Sequence, residues 1–459
     1  MPLLEQVLFL LKINSTITSI SSPPGRGGIS VIRISGPKSI EITKKLLKEN
    51  NFSPKPRYAY FKTIYSTQKN EIDKAIIIYF KGPKSYTGED VVEISCHGST
   101  IITQNLIENL LLLGCEPADP GEFTKRAFLN GKIDLSQAEA VSNLISSENI
   151  LSTNANYKIL KGDFSKKINK LKVEILNTIS LIESELDFSE EEITSTTLDQ
   201  IKSLTIKSIN TNKLILETYK TGKLITEGAT IVITGKPNAG KSSLFNSILS
   251  EERALVSNIP GTTRDAIEVK FQIQGLPVKF IDTAGVRSKA TKIEKKGIAH
   301  TKKFIEKADI IINVIDSSQT TEKPFSQLEK TFKEKKFLYV FNKIDLLGEK
   351  QGFKKKGGVF ISALKGIGID KLLKEIYNSL KKDVGSFNDV LLINPRHKSS
   401  LEKLNSSLKN TLNLCEDNSP TDIIAAELRL GLSNLDDIVG VTTPEDILNN
   451  IFSQFCIGK

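Results

Sequence analysis

The sequence predicts a multidomain fold that combines α/β parts with an all-α part. Its 459 residues exceed the ~250–300 at which a single hydrophobic core stops growing, so two to four domains are expected. Residues 16–115 read as strands separated by Pro and Gly turns, whereas residues 132–223 and 385–459 have helical periodicity. Between the two helical stretches, strand and helix patterns alternate, which is typical of an α/β domain.

The periodic segments support this division in order. Alternating apolar residues predict strands at Ile29–Ile34 and at Ala75–Phe80. Two helical stripes follow, formed by Ile133, Leu135, Ala138, Val141, Leu144 and Ile145, and then by Ile168, Leu171, Ile175, Ile179, Ile182 and Leu186. Glu190–Glu192 is interpreted as a solvated cap or loop. After the α/β segment, Asp422–Leu432 is the clearest helix.

The last 75 residues, 385–459, are too few for a good independent core. We therefore expect them to pack against the helices of 132–223, so that the α/β segment is an insertion within a discontinuous helical domain. The predicted boundaries are 1–131 for an N-terminal α+β domain, 132–223 and 385–459 for the two helical parts, and 224–384 for the inserted domain.

A phosphate-binding loop follows the apolar run Ala229–Thr234. Residues Gly235–Ser242 read G-x-x-x-x-G-K-S and lead into the helical pattern Ser243–Leu249, which is the strand–loop–helix context of a P-loop. The glycines allow backbone N–H groups to surround phosphate oxygens, and the helix N-terminus adds partial positive charge. Lys241 would reach the β- and γ-phosphates, and the Ser242 hydroxyl would bind Mg²⁺. An ordinary glycine turn is the alternative.

A second motif predicts which base is bound. The strand Phe337–Phe341 ends in Asn342-Lys343-Ile344-Asp345, an N-K-x-D loop. The Asp345 carboxylate can accept hydrogen bonds from the ring N–H and exocyclic amine of guanine. Adenine lacks these donors and would leave a buried carboxylate unpaired, a penalty that can give selectivities of ~10⁴ or more. After the short strand at 358–361, Ser362-Ala363-Leu364 would form the backbone cradle under the base. We therefore predict GTP.

Switch segments lie between these two motifs. Asp282 follows the strand Val278–Ile281, where it can hold a Mg²⁺-bound water, while the Gly285 N–H would meet the γ-phosphate. In the preceding loop, Thr263 is the second hydroxyl suited to Mg²⁺. Val286 occupies the position where Ras-like enzymes place a water-orienting Gln, so another group must position water. Glu294 is the nearby candidate; its alternative is a solvated surface charge.

Composition and the apolar runs argue against a transmembrane or secreted protein and are consistent with an RNA partner. Hydrophobic residues make up 39% and charged residues 25%, as in ordinary soluble globular chains. The net charge of +10 is consistent with an RNA partner, although lysines are spread along the whole chain. Four cysteines without metal-ligand spacing indicate reduced thiols in the cytoplasm, and no apolar run approaches 18 residues. The apolar segment Leu3–Leu11 lacks the flanks of a signal peptide.

Taken together, the motifs resemble the MnmE (TrmE) family of GTPases that modify the wobble uridine of tRNA. The resemblance rests on GKPNAGKSS, IPGTTRD, DTAGVR with Glu294 twelve residues after Asp282, and NKID. It extends to PPGRGG at 23–28, TGED at 87–90, HG at 97–98, PGEFT at 120–124, RAFLNGK at 126–132 and the terminal FCIGK. It runs from about Thr16 to Lys459. Residues 1–15 depart from the family pattern and are interpreted as an extra leader or an alternative start.

The resemblance implies a fold and a nucleotide site. The fold is an N-terminal folate-binding and dimerisation domain, a discontinuous helical domain and an inserted Ras-like G domain. Residues assigned to GTP are Asn238, Ala239, Gly240, Lys241, Ser242, Ser243, Ser257, Asn258, Ile259, Pro260, Gly261, Thr262, Thr263, Asp282, Thr283, Ala284, Gly285, Asn342, Lys343, Asp345, Ser362, Ala363 and Leu364. Mg²⁺ is assigned to Ser242 and Thr263, and an activating K⁺ to Asn238, Ser257, Ile259 and Thr262. Read alone, Asn238 could simply tolerate a left-handed turn.

Further roles also come from the resemblance. Glu294 is the catalytic carboxylate, and Cys456 is the functional cysteine of the tail; alone it would be an incidental thiol. Arg33, Glu93, Lys132 and Lys459 match positions that bind 5-formyltetrahydrofolate, although each could be a plain surface charge. The implied partners are tRNA, a second copy in a homodimer, and the FAD-dependent MnmG (GidA), and the implied product carries an aminomethyl-type (carboxymethylaminomethyl) group. Alternatives are a ribosome-assembly or RNA-chaperone GTPase, and a non-catalytic switch in a scaffold.

Overall fold

The computed structural model describes residues 15–188, 195–251, 267–282, 304–318, 331–347, 358–382, 387, 390–391, 393–441 and 445–459. The chain divides into two compact units. One contains residues 1–146, 156–208 and 403–459, and the other contains residues 147–155 and 209–402. Within the described residues, no helix is both long and apolar enough to cross a lipid bilayer.

The first unit contains a six-stranded sheet. Its strands are β1 (Ile17–Ile20), β2 (Ile29–Ser35), β3 (Ala59–Tyr65), β4 (Glu71–Phe80), β5 (Val91–His97) and β6 (Glu116–Pro117). Their order across the sheet is β3-β4-β5-β2-β1-β6, and only the β1–β6 pair is parallel. Helices α1 (Ser39–Leu47) and α2 (Thr100–Leu112) cover one face.

Alternation along these strands creates the core beneath the two helices. Ile32, Ile77 and Ile94 are fully buried and pack with Leu46 and Leu106 from the helices. The predicted strands at Ile29–Ile34 and Ala75–Phe80 are confirmed as β2 and as part of β4. Reading residues 16–115 as strands alone was wrong, because α1 and α2 lie within them. In α2, apolar residues occur on most sides, so the helical period is masked.

The helices that follow are α3 (Glu122–Leu129), α4 (Leu135–Ile145), α5 (Ile150–Leu160), α6 (Asp163–Phe188) and α7 (Ser195–Glu227). Near the end of the chain are α10 (Pro395–Glu416), α11 (Thr421–Val439) and α12 (Glu445–Ser453). The first predicted stripe lies in α4 except for Ile133, which precedes the helix, and the second lies in α6, where Ile168, Leu171 and Ile182 are fully buried. The assignment of Ile145 to the buried stripe was wrong, because it ends α4 with 49% of its surface exposed.

The C-terminal tail packs within the first unit. Phe452 and Phe455 are buried in a cluster with Leu135, Ala138, Val141 and Leu448, which we call the tail cluster. Gly458 has φ +93°, and a Cβ at this position would lie 2.2 Å from the Ile20 carbonyl oxygen, so only glycine allows the approach. The carbonyl oxygen of Gly458 accepts a hydrogen bond from Ser21 Oγ at 3.1 Å. The tail is therefore held against the end of β1.

The second unit contains the predicted α/β segment. Its strands are β7 (Ala229–Gly235), β8 (Ile267–Ile273), β9 (Leu276–Asp282), β10 (Ile310–Asp316), β11 (Lys336–Asn342) and β12 (Gly358–Phe360). The order is β12-β11-β10-β7-β9-β8, and every pair except β8–β9 is parallel. Helices α8 (Lys241–Glu251) and α9 (Ile369–Lys381) belong to this unit. The parallel strands bring the loops after β7, β10 and β11 to one edge.

Candidate functional site

The phosphate loop is built between β7 and α8. Gly235 has φ +145°, and a Cβ there would lie 2.3 Å from the Val314 carbonyl oxygen of β10, so the loop needs glycine to leave the sheet. Asn238 is exposed and has a left-handed φ of 61°. Lys241 is buried, and its Nζ donates hydrogen bonds to the carbonyl oxygens of Gly235 and Lys236 at 3.1 and 2.9 Å. The ammonium group therefore lies inside the curve of the loop.

Asn342 joins the phosphate loop to the loop after β12. It is buried at the end of β11, and its Nδ2 donates to the Ala239 carbonyl oxygen at 3.0 Å. Its Oδ1 accepts from the Ala363 backbone N–H at 2.9 Å. A Cβ at Gly240 would lie 2.2 Å from Asn342 Nδ2, so glycine is required for this close approach. One amide thus sets the spacing between the two loops.

The neighbouring carboxylate is held ready to accept hydrogen bonds. Ser362 Oγ donates to Asp345 Oδ1 at 2.6 Å. This hydrogen bond, helped by the charges of Lys365 and Lys343, holds the pKa of Asp345 below its usual value of 3.8, so the group is ionised at neutral pH. Leu364 is 82% exposed beside the buried Ala363.

The structure adds Asp316, a residue that the motifs did not identify. Lys343 has a left-handed φ of 66°, and its Nζ contacts Asp316 Oδ2 at 2.6 Å. Burial would raise the pKa of Asp316, but hydrogen bonds from Lys343 and Ser318 outweigh it and lower that pKa. Asp316 ends the apolar run of β10 beside β11, so the end of an adjacent parallel strand was the signal that could have located it. This ion pair fixes the Lys343 stem beside the N-K-x-D loop.

Other predicted GTP and metal residues are placed only in part. Ser242 and Ser243 are exposed in the first turn of α8, and Asp282 ends β9 in register with Ile233 of β7. The backbone of Asp282 therefore reaches the same sheet edge as the phosphate loop. The remaining predicted residues lie outside the described part of the chain: Ser257, Asn258, Ile259, Pro260, Gly261, Thr262, Thr263, Thr283, Ala284, Gly285, Val286 and Glu294.

In the first unit, two residues expected to bind folate form a cross-strand pair. Arg33 on β2 faces Glu93 on β5, and its Nε and Nη2 donate to Glu93 Oε1 at 3.0 and 2.7 Å. Within the described residues, no hydrogen bond to Glu93 Oε2 is found. The guanidinium carbon lies 5.5 Å from the ring centroids of both Tyr86 and Phe123. Burial raises the pKa of Tyr86, so its phenol stays neutral.

Of the other two folate candidates, Lys132 lies by the loop that carries Tyr86, and Lys459 lies at the end of β1. Lys132 Nζ donates to the Pro83 carbonyl oxygen at 2.9 Å, three residues before the Tyr86 ring that covers Arg33. Lys132 also lines an open cleft of about 590 Å³ between the end of α3 and the end of α11. Lys459 follows Gly458, which packs on Ile20 at the end of β1. The fold therefore brings Arg33, Glu93 and Lys132 together around one loop.

Cys456 differs from the other cysteines of the chain. It is exposed, whereas Cys96, Cys115 and Cys415 are buried. Burial raises the pKa of Cys96 to about 11 and that of Cys115 to about 12, which makes both thiols poor nucleophiles at neutral pH. Cys456 lies between the buried Phe455 and the anchored Gly458, so an accessible thiol sits on a supported turn.

Comparison with known proteins identifies the family. The protein-family model for "GTP-binding protein TrmE N-terminus" matches residues 16–132, and the family model for "MnmE helical domain" matches residues 135–456. This chain belongs to the MnmE family. It is 40% identical over 446 residues to the "tRNA modification GTPase MnmE" of Aquifex aeolicus (strain VF5), covering 96% of this chain and 99% of that protein.

Two further relatives cover the chain to the same extent, and one similar solved structure covers a third of it. The "tRNA modification GTPase MnmE" of Caldicellulosiruptor saccharolyticus is 41% identical over 458 residues, covering 97% of this chain and 99% of that protein. That of Alkaliphilus metalliredigens (strain QYMF) is 39% identical over 465 residues, with 97% and 100% covered. Among solved structures, the FeoB G-domain from Methanococcus jannaschii is 28% identical and covers 33% of this chain and 98% of its own, with a TM-score of 0.26.

Proposed function

We propose that this chain is a GTP hydrolase whose activity is coupled to the modification of tRNA. It belongs to a family whose members are named tRNA modification GTPases. The observation that carries the GTPase assignment is the Asn342 amide, which bonds the phosphate loop at Ala239 and the Ala363 backbone at once. A site that combines these two loops with the Asp345 carboxylate suits a guanine nucleotide.

The binding roles follow from the contacts of each group. Lys241 already donates to carbonyl oxygens inside its loop, and it would exchange these acceptors for β- and γ-phosphate oxygens. Asp345 would accept the two guanine donors, one at each carboxylate oxygen, while the hydrogen bond from Ser362 to Oδ1 keeps the group oriented. Leu364 would cover the base, and Ser243 would bind the α-phosphate through the start of α8.

Two cations belong to the proposed site. Ser242 and Thr263 would hold Mg²⁺, and Asn238 would hold K⁺ together with Ser257, Ile259 and Thr262. When bound, these ions supply fixed positive charge for the charge that develops between the β- and γ-phosphates. The exposed Asn238 side chain at the mouth of the loop supports this role, although its left-handed φ would also suit a turn. Water positioning is assigned to Glu294, since Val286 has no polar group.

A reduced folate is proposed for the first unit. Glu93, whose Oε2 accepts no hydrogen bond from the described residues, is suited to the donor-rich edge of a pterin, and Lys132 and Lys459 are suited to carboxylates. Glu93 and Arg33 are already aligned by their own hydrogen bonds, which favours a preformed site. A calorimetric titration with 5-formyltetrahydrofolate should release heat, and Glu93→Gln should weaken the binding. If no heat is released by protein that binds GTP normally, the reduced folate is excluded as a ligand.

The tail would act in the tRNA reaction. Cys456 could add as a thiolate to C6 of the uridine ring, breaking the C5–C6 π bond and moving its electron pair into the enolate of C5 and the C4 carbonyl; loss of the thiolate after C5 has reacted and lost its proton would restore the double bond. The exposure of Cys456 supports contact with a base. We further propose that the protein acts in the cytoplasm as a homodimer with the FAD-dependent MnmG (GidA). The proposal includes an N-terminal domain at 1–131, a helical domain in two parts at 132–223 and 385–459, and an inserted G domain at 224–384.

The deciding experiment is nucleoside mass spectrometry of tRNA from a strain that lacks this chain. Wild-type protein should restore the carboxymethylaminomethyl-type wobble uridine, whereas Cys456→Ser should hydrolyse GTP without restoring it. The matched control is Cys415→Ser, which changes a buried thiol outside the tail. Normal wobble uridine in the deletion strain, together with altered ribosomal subunits, would instead indicate a ribosome-assembly GTPase.

A further inference from the structure

A short stretch between α5 and α6 concentrates positive charge. Residues 157–170, which we call the basic turn, contain Lys158, Lys161, Lys166, Lys167 and Lys170 but a single carboxylate, Asp163. Gly162 has φ +87° and reverses the chain between the two helices. Lys166 and Lys170 are four residues apart and Lys167 and Lys170 three apart, so all three lie on one face of α6.

Several of these lysines are exposed to solvent. The Lys166 side chain is 77% exposed and lies 3.7 Å from Asp163, and Lys161, Lys167 and Lys170 are also exposed. Among the described residues, no ion pair is found for Lys167 or Lys170. The next lysine of α6 is different, because Lys172 contacts Asp436 at 2.5 Å. Lys172 is thus paired with α11, whereas Lys161, Lys167 and Lys170 of the turn remain exposed.

An aromatic ring accompanies the lysines. Tyr157 is 50% exposed near the end of α5. Lys161 Nζ lies 4.8 Å from its ring centroid. A half-exposed ring beside ammonium groups can stack on a base while the cations contact phosphates. A surface that packed only against apolar groups would not need ammonium groups beside the ring.

The basic turn is also joined to the tail that carries Cys456. Leu160 packs against the tail cluster, which contains Phe452 and Phe455. Gln137 Nε2 donates to the Leu160 carbonyl oxygen at 2.9 Å, and Ser136 contacts Ser165 Oγ at 3.2 Å. The start of α4 therefore holds the turn in place relative to the tail.

We propose that the basic turn is a tRNA-binding surface that contacts the phosphate backbone through Lys161, Lys166, Lys167 and Lys170 and stacks a base on Tyr157. The proposal rests on the function proposed above, since it locates a contact for that substrate. The charge of the turn complements the polyanion, and its shared support with the tail would deliver bound RNA to the thiol. A polyanion is favoured over an acidic protein because the ring and cations form one contact with both parts of a nucleotide.

The test compares two triple variants of the full-length protein. Lys161→Gln/Lys167→Gln/Lys170→Gln removes three charges from the turn, and Lys38→Gln/Lys55→Gln/Lys81→Gln removes three exposed charges elsewhere in the same unit. Binding of unmodified tRNA is measured between 50 and 200 mM KCl. Each lost phosphate contact lowers the slope of log affinity against log salt by about 0.7–0.9. We expect the turn variant to lose at least about tenfold in affinity and about two units of slope.

A second pair of variants tests the ring. Tyr157→Leu should weaken tRNA binding by about tenfold, and Tyr157→Phe should bind like wild type, because stacking needs the ring and not the hydroxyl. An unchanged thermal unfolding midpoint shows that each variant is folded.

The outcomes separate this surface from the function itself. In one outcome, the wild-type protein restores wobble-uridine modification while the turn variant matches the control variant in tRNA affinity and in salt slope. In that case the basic turn does not bind tRNA, and the proposed function stands. A turn variant that binds tRNA normally but no longer binds a partner protein would also overturn the surface. If wild type neither binds tRNA nor restores modification, the proposed function fails and the surface fails with it.

Discussion

Replacement of Asn342 is the sharpest test of how the nucleotide site is held together. Asn342→Ala removes the donor to the Ala239 carbonyl oxygen and the acceptor for the Ala363 N–H, at 3.0 and 2.9 Å. Asn342, Ala239 and Ala363 are exposed by only 2%, 2% and 7%, so water has little access to replace either hydrogen bond. Each backbone group left unsatisfied costs about 1–3 kcal/mol.

The two losses together amount to roughly 2–6 kcal/mol, shared between protein stability and nucleotide binding. If half of this cost, about 1–3 kcal/mol, falls on binding, the affinity for GTP drops by roughly 5- to 140-fold, since each 1.4 kcal/mol is a factor of ten. Calorimetric titration with GDP and with a non-hydrolysable GTP analogue measures this loss of affinity. The matched control is Asn313→Ala on the adjacent strand β10, whose side chain makes no hydrogen bond found among the described residues.

A second substitution separates the donor from the acceptor. Asn342→Asp keeps an oxygen for the Ala363 N–H but turns a carboxylate toward the Ala239 carbonyl oxygen, so two acceptors would face each other. We expect the affinities to rank Asn above Ala and Ala above Asp. Wild-type affinity in Asn342→Ala, within about twofold, would refute the reasoning that this amide sets the spacing of the two loops.

Three further predictions concern other residues. GTP hydrolysis should be faster in KCl than in NaCl, and Asn238→Gly, which keeps the left-handed turn but loses the side-chain oxygen, should abolish that difference; equal rates in both salts for wild type would exclude the K⁺ role. Glu294→Ala should lower kcat by at least ~10² with GTP affinity nearly unchanged, and a parallel loss of affinity would mark a structural role. Burial would raise the pKa of Asp73, but hydrogen bonds from the His97 backbone and ring and from Lys74 outweigh it and lower that pKa below 3.8. Asp73→Asn should therefore destabilise the protein above pH 3.8, and urea titrations should show the difference disappearing as the pH falls below that value; a constant difference would contradict this hydrogen-bond account.

The sequence by itself determined the features that depend on spacing along the chain. The P-loop between a strand and a helix, the N-K-x-D loop after β11, and the buried stripe of α6 all follow from local periodicity and turn chemistry. These signals survive without tertiary information because each lies within a few turns or one strand. The same local rules failed for α2, where apolar residues on most sides leave no helical period to read.

Only the tertiary structure decided which distant groups meet. The contact of Asn342 with Ala239 spans 103 residues, and Asp316 reaches Lys343 only because β10 and β11 run parallel in register. Arg33 pairs with Glu93 because the strands of an antiparallel sheet align them, and Gly458 reaches Ile20 across almost the whole chain. Such contacts depend on strand order and packing, which no spacing along the sequence encodes.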